Sequence, residues 1–149
     1  MALFDDRTQL EVLNRHDCLK LLRQAQVGRI GLLHQGRIMV VPVNFTLDDH
    51  HILFRSDPGA KLDAAIANQD VAFEVDRVDP ESRTGWNVLV QGRASVVEDP
   101  DALDQLDRSG LHPWARTAKA HWIQVALEDV WGRRALSVFD QDTLTHAGY

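Results

Sequence analysis

The clearest alternation of apolar and polar residues runs from Trp86 to Val97. Trp86, Val88, Val90, Gly92, Ala94 and Val96 fall on one face of an extended strand, and Asn87, Leu89, Gln91, Arg93, Ser95 and Val97 on the other. A strand of that length bends, and Gly92 is the expected place. Val71, Phe73 and Val75 alternate with Ala72, Glu74 and Asp76 in a second, half-exposed strand, and Ile123, Val125 and Leu127 do the same within His121–Glu128. Arg29–Leu33 and Arg37–Thr46 are β-branched-rich runs joined by His34-Gln35-Gly36, a hairpin signal. Asp48-Asp49-His50 predicts a turn, His51–Arg55 a third strand after that hairpin, Asp79–Gly85 a polar loop and Arg133–Phe139 the last strand.

Helical spacing occupies less of the chain. Cys18, Leu21, Leu22 and Ala25 form one apolar stripe, with Asp17 as the expected N-cap and Gly28 where a helix stop belongs. Ala60–Asn68 and Pro100–Ser109 read as two short helices. Met1–Leu13 lacks sustained periodicity and reads as a loosely docked arm, so residues 1–14 are set apart from a single domain over 15–149. Many antiparallel strands with interposed helices predict a mainly β (β+α) fold, an antiparallel β-barrel with peripheral helices. A doubly wound parallel sheet is excluded, because helices do not follow the strands regularly.

Composition narrows the class. The 149 residues suit one domain with a sufficient core and no need of disulfides or metal. Cys18 is the single cysteine, and its place on the apolar helix stripe marks it as a packed thiol. Adjacent His50 and His51 would point to opposite faces of a strand, so no metal site is expected. With 22 acidic against 16 basic residues the formal net charge is −6, which argues against nucleic acid as a partner. No apolar run has membrane-spanning length and the first residues carry acids, so a cytoplasmic protein without a membrane partner is expected.

Three stretches hold candidate chemistry. Ile52–Leu62, ILFRSDPGAKL, places Arg55 and Ser56 at a strand end and Lys61 in the first turn of a helix. Cations, a hydroxyl and backbone N–H groups at such a junction suit a phosphate. The alternative is a pair of solvated charges with Asp57 beside them. In Val40–Phe45, VVPVNF, Pro42 removes a backbone donor and implies an edge or irregular strand. In Gly85–Gly92, GWNVLVQG, Asn87 and Gln91 share a face, where their carboxamides would meet either a heterocycle or water. No serine or cysteine elbow accompanies His112 or His121, which leaves hydrolase chemistry without a nucleophile.

In order and spacing, VGRIGLL (Val27–Leu33), VVPVNF, ILFRSDPGAKL, VAFEVD (Val71–Asp76) and GWNVLVQG resemble the flavin-binding split-barrel proteins of the pyridoxamine 5′-phosphate oxidase-like superfamily. The resemblance spans Asp17 to Glu98, with further support from His121 to Leu136. It implies a split barrel that dimerises with itself and holds FMN at the interface. Arg55, Ser56 and Lys61 would hold the phosphate, and Val41, Pro42, Val43 and Asn44 would follow the ring edge. Asn87 and Trp86 would approach from the second subunit, and Arg133 matches a C-terminal position. The implied function is an FMN-dependent oxidoreductase acting on a small molecule. The alternatives are a deazaflavin-dependent reductase and a non-catalytic flavin- or haem-binding protein. The tail SVFDQDTLTHAGY has His146 but no Arg-x-His pair, the substrate clamp of pyridoxamine 5′-phosphate oxidase itself.

Overall fold

The computed structural model describes residues 3–4, 10–109 and 121–136. The chain runs β1 (Leu3–Phe4), β2 (Glu11–Leu13), α1 (Arg15–Gln24), β3 (Val27–His34), β4 (Arg37–Asn44), β5 (Thr46–Leu47) and β6 (His51–Ser56). It continues through α2 (Ala60–Ile66), β7 (Asp70–Asp79), β8 (Thr84–Val96), α3 (Pro100–Asp107), β9 (His121–Ala126) and β10 (Asp129–Ala135). All strand pairs are antiparallel, in the order β1-β2-β10-β8-β7-β3-β4, with β9, β6 and β5 continuing from the far end of β8. The sheet curls into a split barrel with peripheral helices, the architecture that the alternation predicted.

The alternating residues fill its interior. Val71, Phe73, Val75, Val88, Val90, Ala94, Ile123 and Val125 are all buried. Phe45 meets Phe73 edge to face, with ring centroids 4.9 Å apart. A smaller cluster of Leu53, Val97 and Trp122 packs beneath α3. Strand β8 changes partners along its length: Gly85–Gln91 pair with β10, Thr84–Arg93 with β7 and Ala94–Val96 with β9. Gly92 lies beside this change of partners. A Cβ there would fall on the backbone oxygen of Ala126, so only glycine admits the approach of β9.

Several boundaries differ from the sequence reading. The cap of α1 lies three residues before Asp17: it is Asn14, and its side chain accepts the Asp17 backbone N–H at 2.8 Å. Residues 11–13 are no loose arm. They form β2 against β10, and Leu13 is buried in the core. Helix α2 stops at Ile66, β7 extends to Asp79, and β10 starts four residues before Arg133. The β3–β4 turn is carried by Gln35 and Gly36, both at positive φ, the geometry of a tight hairpin matching strand twist. Cys18 is fully buried, and burial pushes its thiol pKa up, with Asp17 adding to the effect. His112 and the tail carrying His146 lie outside the described residues. Among the described residues no helix is long and apolar enough to cross a membrane.

Candidate functional site

The register divides the predicted contacts between the two faces of the sheet. Residues opposite one another in an antiparallel pair share a face. Pro42 stands opposite Arg29, Arg29 opposite Glu74, Glu74 opposite Leu89, and Leu89 opposite Trp131. One step along, Asp76, Asn87 and Arg133 form a second row. Both rows lie on the face turned away from the core. Val41 and Val43 point the other way, Val43 being buried, while Asn44 is partly exposed on the outer face. Among the described residues β4 ends the sheet path and pairs only with β3, so Pro42 sits in an edge strand there.

Asn87, Arg133 and Trp86 line one groove of about 560 Å³, together with Glu74, Asp76, Arg83 and neighbouring residues. Asn87 is exposed there, and Arg133 donates one guanidinium N–H to the Gly132 carbonyl at 3.2 Å. A carboxamide and a guanidinium facing one space suit a polar planar ligand with an electron-rich edge.

Arg55, Ser56 and Lys61 are gathered elsewhere, at the junction of β6 and α2. Arg55 lies opposite Trp122 in the β6–β9 register, with its guanidinium carbon 5.6 Å from the indole centroid. Trp122 is itself anchored through its ring N–H to Asp107 of α3 at 2.9 Å. Arg55 Nε is buried and finds no hydrogen-bond partner among the described residues. A donor left in that state costs about 1–3 kcal/mol, which an anionic acceptor drawn into the junction would recover. Ser56 is turned inward at 1% exposure, and its hydroxyl donates to the Asp57 carbonyl at 2.8 Å. Lys61, second residue of α2, is partly exposed. The junction therefore fits an anion through Arg55 and Lys61, with Ser56 already engaged. Neither this group nor Val41–Asn44 lines the groove of Asn87 and Arg133.

The groove also contains chemistry that the sequence reading passed over. Arg29 Nη1 reaches Asp76 at 3.2 Å and Glu74 at 3.5 Å, so one guanidinium spans two carboxyl groups on the same face of β7. Burial pushes the Glu74 pKa up to about 7, a hydrogen bond with Asp76 and its charge add to the rise, and Arg29 opposes it. The signal in the sequence was the pair of acids two apart in FEVD. Its meaning depended on Arg29, 45 residues upstream.

Comparison with known proteins gives the family. The family model described as pyridoxamine 5′-phosphate oxidase matches residues 14–134. An uncharacterised protein of Mycobacterium tuberculosis is 32% identical over 130 residues, covering 84% of this chain and 85% of the relative. The FAD-binding protein of Mycobacterium smegmatis superposes with a TM-score of 0.67 at 32% identity, over 83% of this chain and 95% of that one. A FAD-binding protein of Mesorhizobium loti gives 0.70 at 28% identity, over 85% and 99%. The matched span begins at the Asn14 cap and takes in the β6–α2 junction, both outer rows and β10 as far as Arg134: the chain belongs to the pyridoxamine 5′-phosphate oxidase family.

Proposed function

We propose that this protein is a flavin-dependent oxidoreductase that binds FMN between two copies of the chain and acts on a small molecule. The observation that carries the reading is the separation of two complementary half-sites. Arg55 and Lys61 at the β6–α2 junction suit an anionic phosphate, while Asn87 and Arg133 in the outer groove suit a heterocycle edge, and no single described groove holds both sets. A homodimer unites them if Asn87 of the partner subunit approaches the ring whose phosphate Arg55 and Lys61 hold. Two relatives of similar fold are named as FAD-binding, which supports a flavin and favours FAD as the second reading.

In this arrangement the flavin supplies the hydride chemistry. Arg55 and Lys61 fix the anionic end, and the Arg55 side chain keeps its orientation by stacking on Trp122. The Asn87 amide would present donor and acceptor to the ring edge, and the Arg133 guanidinium in the same groove would stabilise negative charge there.

Mass spectrometry of the small molecule released from purified protein tests the reading. The FMN mass with an oxidised-flavin spectrum is the expected result. The FAD mass would select the second reading, a deazaflavin the reductase alternative, and a Soret band with haem the binding-protein alternative. Protein that retains no added flavin would overturn the proposal.

A further inference from the structure

Glu74 and Asp76 stand on one face of β7, two residues apart, and both line the groove that contains Asn87 and Arg133. Arg29 of β3 faces both carboxyl groups. On the other side, β8 presents only uncharged Leu89 and Asn87 in register with them. Arg133 of β10 lies beyond Asn87 in the Asp76 row, and Arg83 and Asp79 complete the charged lining. The Glu74 side chain is 31% exposed, open enough to the groove to meet a ligand.

We infer that Glu74 is the proton donor of this groove: its carboxyl O–H donates a hydrogen bond to a carbonyl oxygen or ring nitrogen of a bound heteroaromatic ligand. Asp76 and Arg29 are the positioning residues. Asp76, hydrogen-bonded to Glu74, favours its protonated form, and Arg29 stabilises the carboxylate left when the proton departs. Should the ligand gain charge during turnover, the O–H bond of Glu74 breaks and an N–H or O–H bond forms on the ligand. The electron pair stays on Glu74, and water in the open groove returns the proton. The pKa of Glu74 near 7 puts both forms within reach at neutral pH. This inference rests on the flavin reading, since FMN is the probe ligand.

The test is the dissociation constant of FMN, followed by quenching of its fluorescence from pH 5.5 to 9 in wild-type protein, Glu74→Gln and Asp76→Asn. The ratio of wild-type to Glu74→Gln affinity, which cancels the titration of the FMN phosphate common to both, is expected to be constant below neutrality and to fall above it, approaching tenfold per pH unit for the loss of one proton. Glu74→Gln keeps a donor amide at all pH values and should lack this fall. Asp76→Asn should move the wild-type break to lower pH, a shift that a purely structural role would not produce. A profile unchanged by both substitutions overturns the inference while the flavin reading stands. FMN that binds none of the three proteins overturns both.

Discussion

Arg134 grips Glu11 with two hydrogen bonds, 2.7 Å through Nε and 3.0 Å through Nη2, joining β10 to β2 across 123 positions of sequence. Glu11 is only 12% exposed, so the pair is set against the sheet, and the contact raises the Arg134 pKa. Glu11→Ala should cost about 1–2 kcal/mol, the lower part of the range for charge-assisted bonds because solvent reaches Arg134. Urea unfolding measures it, and an unchanged midpoint would show that β2 is held by its backbone ladder alone.

Gly92→Ala should be far more damaging. The new Cβ meets backbone rather than a movable side chain, so β9 or β8 must shift. A loss of about 3 kcal/mol is expected from overpacking of this kind. Calorimetry reports it, and a native-like melting temperature would show that the two strands separate at little cost.

Lys61→Ala is expected to weaken flavin binding by about 1.5–3 kcal/mol, the range for a lost charge-assisted hydrogen bond. Asn87→Ala should change the reduction potential of bound flavin more than its affinity. Equilibrium dialysis and redox titration separate the two, and the reverse pattern would exchange their assigned roles.

The outer sheet face exposes Leu33 at 52%, Ile38 at 81%, Val40 at 65% and Trp131 at 47%. Apolar residues so grouped favour burial against a partner. In the proposed homodimer, Ile38→Asp should shift sedimentation toward monomer by at least tenfold in dissociation constant, since a buried carboxylate would lack a partner. Wild-type protein that sediments as a monomer with flavin bound would remove the shared-site reading.

Stability should carry the mark of Glu74. Its folded pKa, about 7, lies above the ordinary glutamate value of 4.5, so between those values the folded state binds the extra proton. Stability then falls as pH rises through that window and levels off above it. Glu74→Gln should therefore raise the melting temperature at pH 8 relative to wild type, and the gain should shrink toward pH 5. Thermal scans across this range check the sign.

Much of the fold was legible because alternation reports burial directly. Val71, Phe73 and Val75 lie inside as their spacing required, and Gly92 lies where β8 changes partners. The cap of α1 was misplaced because Asn14 and Asp17 are both cap-forming residues, and only the hydrogen bond from the Asp17 N–H to the Asn14 side chain ranks them. Strand β2 was invisible for another reason. Three residues carry no period, and their partner is more than a hundred positions away. The same non-locality hid the role of Glu74: its exposed face was readable, whereas Arg29 arrives through the β3–β7 register. Arg55 and Lys61 were recognisable by local spacing, but the stacking of Arg55 on Trp122 depends on β9.

Because β8 forms the common wall of both parts of the sheet, neither part can melt while the other stays intact. Heat or denaturant should produce one sharp transition, and the amides of Val88, Val90 and Ala94 should surrender their protons to deuterated solvent only when the whole molecule opens.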